Sequence, residues 1–324
     1  MPDGVPVDSS HPGARGGPQR IAFLGPPGTF TEEALLGEPD LYGADVVAMP
    51  TIGDVLAATH DRVVDAGFVP IENSIEGTVS ATLDHLVFDA DLLVQREVVL
   101  DIHLHLLAAP GTSLGDVRRV VSFPHASAQC RAFLQRELPD AEIVASNSTA
   151  EAARIVGEER PASTAALAPA LAAKLYGLEV LASAVEDHAD NQTRFVLVAP
   201  DAIPPPTGHD RTSIVCFQRA DRPGSLHQIL GQFAARSINL SKLESRPTKQ
   251  ALGTYCFVID LDGHVTDEVV GDCLRELHME LADVKFLGSY PAAGEHGPAL
   301  RAEIAASRRE ADAWLEHIRS QVGL

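Results

Sequence analysis

A run of three prolines, Pro204-Pro205-Pro206, followed by Gly208, divides this chain into two stretches with different rhythms. Proline lacks the backbone N–H that helices and inner strands require, so residues 201–210 read as a linker. Before it, short apolar strands alternate with helices. After it, the order becomes strand, helix, strand, strand, helix, strand. A chain cut in this way folds around at least two cores, as its 324 residues also imply.

In the first stretch the apolar run 21–24 stops at Gly25-Pro26-Pro27-Gly28, a turn. Thr29 and Glu32 then have the spacing of a capping box, and a helix over 30–36 follows. The strand–turn–helix order aims free N–H groups at an anion, but the glycine and lysine spacings of a dinucleotide or P-loop site are missing. Strands are predicted at 46–49, 66–70, 92–107, 117–122, 141–145, 163–167, 178–181 and 194–198. Helices are predicted at 52–59, from 78 to about 88, 126–137, 150–156 and 169–175. Ser148 and Glu151 form a second capping box. This alternation predicts an α/β architecture with mostly parallel sheets. His103 and His105, two apart on a strand, face the same way; without a third ligand nearby they read as a polar strand face, not a metal site.

The second stretch, 212–291, has the βαββαβ order of a ferredoxin-like unit. A charged tail, 292–324, carries Ile304, Ala311, Leu315, Ile318 and Val322 at helical spacing, so one face is expected to pack on the body or on another subunit.

Composition narrows the function. Acidic residues outnumber basic ones, 45 against 25, for a formal charge of -20. Such a chain is repelled by nucleic acid and by anionic membrane surfaces. An anionic substrate would need local positive potential. No apolar run is long enough to span a membrane. Residues 1–19, rich in Pro, Gly and Ser, read as a disordered tail and not a targeting segment. Cys130, Cys216, Cys256 and Cys273 have no metal or redox spacing and read as reduced thiols of a cytoplasmic protein.

Three motifs carry a family resemblance: Gly25-Pro-Pro-Gly-Thr-Phe-Thr, Pro70-Ile-Glu-Asn-Ser-Ile-Glu-Gly-Thr-Val79 and Asn191-Gln-Thr-Arg-Phe195. With Tyr176-Gly-Leu-Glu-Val-Leu and Glu186-Asp187, in this order, the chain resembles the prephenate dehydratases. Pro223-Gly-Ser-Leu226 and Glu244-Ser-Arg-Pro247 resemble the effector motifs of that family's ACT domain. Where many members have Ser-His-Pro-Gln, this chain has Ser122-Phe123-Pro124-His125; Ser122 and the later Gln129 still match.

The resemblance implies two α/β lobes like a type II periplasmic binding protein, spanning about 20–100 with 190–200, and 101–189. It implies an active site in the cleft, no metal or organic cofactor, and a homo-oligomer, dimer or tetramer, with L-phenylalanine bound by the ACT domain at a subunit interface. The reaction would be loss of carbon dioxide and hydroxide from prephenate, which asks for general-acid help and positioning.

Thr193 is the family's essential threonine, and we assign it the hydrogen bond to the leaving hydroxyl; capping of the last strand is its local alternative. Arg194 is either a fork for a substrate carboxylate or a structural ion pair, because adjacent strand residues face opposite ways. Phe195 reads as core more than substrate contact. Asn73 and Ser74 are candidates for substrate oxygens. Glu72 is protonated, salt-bridged or part of an acid relay. Ser122 and Gln129 are orienting groups; Thr31 and Ser148, at helix starts, are caps or substrate contacts. For the effector, Gly224 allows close backbone approach and Leu226 gives an apolar wall. Asn239, Glu244, Ser245 and Arg246 would grip the amino acid, or make subunit salt bridges. Two other readings stay open: an arogenate dehydratase, and a non-catalytic amino-acid-binding sensor.

Overall fold

The structure, a computed structural model, describes residues 17–219, 222–249, 253–293, 310–311 and 313–321. The first lobe opens with β1 (Arg20–Leu24), α1 (Phe30–Leu36), β2 (Asp45–Met49), α2 (Ile52–His60), β3 (Ala66–Asn73), β4 (Gly77–Thr78), α3 (Ser80–Asp84) and β5 (Leu93–Asp101). The second lobe holds β6 (His105–Ala108), β7 (Arg119–Ser122), α4 (Pro124–Gln129), α5 (Arg131–Glu137), β8 (Glu142–Ala145), α6 (Thr149–Glu159), β9 (Thr164–Ala168), α7 (Ala170–Tyr176) and β10 (Glu179–Ala182). The chain then returns to the first lobe as β11 (Gln192–Ala199).

The first lobe's path runs β2-β1-β3-β11-β5, and the second lobe's sheet runs β10-β6-β9-β7-β8. The expectation of mostly parallel sheets is corrected. β1 is parallel to β2 and β3, but β11 is antiparallel to both β3 and β5. In the second lobe β7 is parallel to β8 and β9, whereas β6 is antiparallel to β9 and β10. The antiparallel strands flank the two crossings between the lobes, where the chain leaves and re-enters without a covering helix.

Those crossings lie side by side. Ile102 N–H donates to Asn191 O at 2.7 Å, and Val185 N–H to Leu104 O at 2.8 Å. The buried Glu186 carboxylate accepts the Leu104 N–H and contacts His103 Nδ1 at 2.8 Å. His105 instead accepts the Ala184 N–H at 3.3 Å, so the two histidines brace the crossing separately. Phe30 packs on the cores of both lobes, and Tyr176 Oη donates to Pro27 O at 3.0 Å, closing one side of the cleft.

The third sheet is built by β12 (Asp210–Phe217), β13 (Leu240–Pro247), β14 (Tyr255–Asp262) and β15 (Asp283–Pro291), in the order β13-β14-β12-β15. Helices α8 (Ser225–Ala234) and α9 (Glu268–Glu280) cover one face through Ile229, Phe233, Val270, Cys273 and Leu277. This is the ferredoxin-like order expected. Its other face joins the first lobe in one apolar cluster: Val215, Cys256, Val258, Leu287 and Tyr290 pack with Ile71, Leu83, Leu86 and Val94. Gly288 lets β15 pass against β5; a Cβ there would lie 2.7 Å from Val94 O. The helix-bearing sheet is thus welded to the back of the first lobe.

Residues 1–16 of the expected N-terminal tail lie outside the described residues, as do Ile304 and Val322 of the expected C-terminal helix. Residues 313–319 are helical, with Trp314 exposed.

Candidate active site at the β3–β11 strand ends

The site grows from the register of two strands. Asn73, the last residue of β3, lies opposite Thr193, the second of β11. Asn73 Nδ2 donates to Thr193 Oγ1 at 2.9 Å. It also lies 2.9 Å from Asn191 Oδ1 and 3.1 Å from Gln192 O. Asn73 Oδ1 accepts the N–H groups of Ile75 and Glu76 at 2.9 and 3.0 Å. Those two donors fix which end of the amide points where, leaving the NH2 for Thr193. Thr193 is buried, and its own O–H has no acceptor among the described residues.

Neighbouring groups hold this pair in place. Ser74 N–H donates to Gln192 O at 2.8 Å, and Ser74 Oγ accepts the Gln192 N–H at 2.9 Å. Asn191 Nδ2 reaches Gln129 Oε1 of the second lobe at 3.4 Å. Asp187, beyond the hinge, accepts the Ala132 N–H with both carboxylate oxygens and donates its own N–H to Gln129 O at 2.6 Å. Across the mouth, His125 Nδ1 of the second lobe meets Glu76 Oε1 of the first at 3.1 Å. Asn73, Ser74, Gln129 and Thr193 are therefore brought together, with Asn191, Glu76 and His125 added. Asn191 belongs to the Asn191–Phe195 motif. Its position two before Thr193, on the same strand face, was the available signal. His125 stood only as a departure from the family pattern.

Six expected site residues fall elsewhere. Phe195 is core, its ring 5.5 Å from that of Phe68 and nearly parallel to it. Ser122 is fully buried and donates to Leu167 O at 2.8 Å, bracing two strands of the second sheet. Ser148 caps α6 by accepting the Glu151 N–H at 3.0 Å. Thr31 is buried in the first turn of α1, whose cap is Thr29, and no hydrogen bond ties it to Asn73 or Thr193 among the described residues. Arg194 turns to the opposite face from Thr193, where its guanidinium meets Asp260 at 2.9 Å, Glu72 at 3.1 Å and Glu97 at 3.2 Å.

Burial alone would lower the Arg194 pKa; the charges of Asp260, Tyr290 and Glu97 outweigh it and raise it. The ion-pair reading therefore replaces the substrate-fork reading. Glu72 goes with it, salt-bridged to Arg194 and, at 3.3 Å, to Lys242. A register shift between Arg194 and Phe195 marks a bulge in β3 that turns both Ile71 and Glu72 to this back face.

The effector candidates split in the same way. Gly224 has φ +89 at the start of α8, and Leu226 packs on the helix-side core. Asn239 Nδ2 donates to Asp262 Oδ2 at 2.7 Å. Ser245 lines a cavity of about 660 Å³ with Phe217, Arg219, Tyr255 and Phe257. Glu244 and Arg246 face the other way. Glu244 accepts from Thr78 Oγ1 at 2.6 Å, and Arg246 pairs with Asp84 and reaches Ser80 at 3.3 Å. In this chain they dock the sheet to the first lobe.

The family model for prephenate dehydratase matches residues 21–203, and that for the ACT domain matches residues 212–278. A prephenate dehydratase of Mycolicibacterium vanbaalenii is 43% identical over 313 residues, covering 92% of this chain and 98% of that protein. The crystal structure of an Arthrobacter aurescens prephenate dehydratase in complex with L-Phe superimposes with a TM-score of 0.79 at 41% identity, covering 92% of this chain and 99% of the other. A structure described as GqqA, a novel type of quorum quenching acylase, aligns with a TM-score of 0.75 at 31% identity, covering 85% of this chain and 98% of that one. With both family models matched in order and relatives aligned over nearly their whole length, the chain belongs to the prephenate dehydratase family and carries an ACT domain.

Proposed function

We propose that this enzyme converts prephenate to phenylpyruvate by decarboxylating dehydration, with Thr193 as the hydrogen-bond donor to the departing hydroxyl. The bond to the ring carboxylate breaks and carbon dioxide leaves. Its electron pair moves into the ring, the C–O bond breaks, and hydroxide departs to become water with one proton. The observation that carries this reading is the 2.9 Å hydrogen bond from Asn73 to Thr193 Oγ1. Because Asn73 donates into Oγ1, the Thr193 proton is directed onward. A donor that itself accepts a hydrogen bond is polarised and donates more strongly. A threonine hydroxyl is too weak an acid for free proton transfer, so it stabilises developing negative charge on the leaving oxygen. Ser74, Gln129 and Asn191 position the substrate in this reading.

The regions we assign are 20–200 for catalysis, 201–211 for the linker and 212–291 for regulation by L-phenylalanine, with 292–324 as a helical tail. Gly224, Leu226, Asn239 and Ser245 form the effector side, completed by a second subunit of a dimer or tetramer. The relative complexed with L-Phe supports that effector. A cytoplasmic setting fits four buried free cysteines.

The relative described as an acylase suggests a second reading, amide hydrolysis with Thr193 as nucleophile. A nucleophilic hydroxyl needs a base that accepts its proton. Here an amide donates to Oγ1, and no His or carboxylate accepts from it among the described residues. The test is a comparison of purified protein on prephenate, arogenate and an N-acyl amide. Faster turnover of prephenate supports the proposal. Preference for arogenate moves the substrate, amide hydrolysis alone moves the reaction class, and no turnover with phenylalanine bound leaves a sensor.

A further inference from the structure

We infer that Arg194 and Asp260 form a positioning couple that sets the Asn73–Thr193 pair from behind, through the ACT sheet; this rests on the reading of Thr193 and Asn73 as the reacting site. Thr193 and Arg194 are consecutive, as are Asn73 and Glu72, and the two strands pair Thr193 with Asn73 and Arg194 with Glu72. The front face carries the Asn73–Thr193 hydrogen bond, and the back face carries the Glu72–Arg194 ion pair at 3.1 Å. The back-face and front-face side chains hang from the same two short stretches of backbone, Glu72–Asn73 and Thr193–Arg194.

The back-face groups are fixed by the ACT sheet. Asp260 on β14 binds Arg194 through Oδ2, while its Oδ1 accepts from Ser213 Oγ at 2.6 Å. Ser213 Oγ in turn lies 2.7 Å from the buried Tyr290 hydroxyl. Lys242 on β13 reaches Glu72 at 3.3 Å and Thr78 at 2.8 Å. Glu97 on β5 takes Arg194 at 3.2 Å, Arg211 at 2.5 Å and the Ala293 N–H at 2.7 Å. Both terminal nitrogens of the Arg194 guanidinium are thereby set by groups whose own positions are fixed, while Nε has no partner among the described residues.

Charge use supports a geometric purpose. In a chain of formal charge -20, this interface joins six acids (Glu72, Asp84, Asp91, Glu97, Glu244, Asp260) with six bases (Arg194, Arg211, Lys242, Arg246, Lys249, Lys285) among the described residues. A buried ion pair seldom stabilises more than the apolar contact that could replace it; what it adds is a fixed direction. The apolar cluster around Val258 and Ile71 already holds the sheet to the lobe, so the ion pairs are free to serve as alignment. Arg194 and Asp260 are positioning residues, acting on the reaction only through Thr193.

The test uses the full-length protein with Asp260→Asn, which keeps the shape and removes the charge, and with Lys249→Gln as a control. Lys249 pairs with Asp84 at the exposed edge of the same interface, remote in sequence from both reacting residues. Misplacement of a reacting group by about 1 Å costs on the order of a hundredfold, so kcat on prephenate should fall by roughly ten- to a hundredfold in Asp260→Asn. KM should stay within about twofold, because no substrate contact is lost. Lys249→Gln should keep the parent kcat. Hydrogen–deuterium exchange should quicken at residues 72–74 and 191–194 in Asp260→Asn and not in Lys249→Gln. If Asp260→Asn fails to fold, Ser213→Ala, which frees the Asp260 carboxylate, should show the same changes at smaller size. An unchanged kcat with unchanged exchange in the folded variant overturns the inference, as does an equal loss in Lys249→Gln. Absence of turnover in the parent overturns the functional reading instead, and the exchange comparison then decides the coupling alone.

Discussion

Asn73 Nδ2 donates to Thr193 Oγ1 across 2.9 Å, from the end of one strand to the start of its antiparallel neighbour. This relationship assigns the threonine a direction as well as a place. Asn73→Ala should lower kcat by about 10²–10³-fold, the usual cost of one preorganised donor. Asn73→Asp should lose as much, because a carboxylate there would accept the Thr193 proton and turn it away from the substrate. Steady-state rates of the two variants, with circular dichroism to show folding, check this.

Glu97 is almost fully buried beneath two guanidiniums, those of Arg194 and Arg211. Glu97→Ala would leave both buried cations without their shared partner. Breaking a buried pair in this way costs about 3–5 kcal/mol. Urea denaturation should show a fall of this size, whereas cutting the exposed pair Arg154–Glu158 on α6 by Arg154→Ala should leave the unfolding midpoint nearly unchanged.

How far the sequence displayed this arrangement depends on the residue. Asn73 stands at a strand end, where α/β sites collect polar groups, whereas Thr193 is singled out by the family motif alone, since its local pattern reads equally as a strand cap. The caps at Thr29 and Ser148 are equally local and are present, but the boxes are not complete: the Glu32 and Glu151 carboxylates accept the N–H groups of Gly28 and Asn147, one residue before each cap. Arg194 was different: alternation says that it faces away from Thr193, but not what lies on that side. The answer, Asp260, is distant in sequence and on another sheet. Glu72 was obscured by a bulge in β3 that no composition rule marks. The parallel-sheet expectation failed because β11 returns from a second lobe, a long-range event that alternation cannot register. Glu244 and Arg246 alternate with Ser245, so one motif was bound to serve two faces.

Burial raises the Glu186 pKa, but the His103 and Leu104 N–H hydrogen bonds outweigh it and hold the carboxyl below its ordinary 4.5. A depressed carboxyl contributes stability that is present above 4.5 and lost as pH falls through the folded value. The hinge should therefore loosen in acid. Melting temperatures from neutral pH downward should fall more steeply for the parent than for Glu186→Gln, which lacks the titrating group and starts lower at neutral pH.

Burial pushes the Cys130 and Cys216 thiols up to about 12 and Cys273 up to about 11. Thiols, unlike thiolates, react slowly with alkylating agents. Native protein at pH 8 should take up almost no iodoacetamide at these positions over minutes, and mass spectrometry after unfolding should find them fully modified.

The central claim is that Thr193 takes part in turnover of prephenate. It is tested most directly by phenylpyruvate formation in the parent and in Thr193→Ala, with melting curves to show that both are folded. The parent should turn prephenate over, and the variant should lose about 10²–10³-fold or more, the scale of one lost transition-state donor. A folded Thr193→Ala protein that makes phenylpyruvate at the parent rate would contradict it.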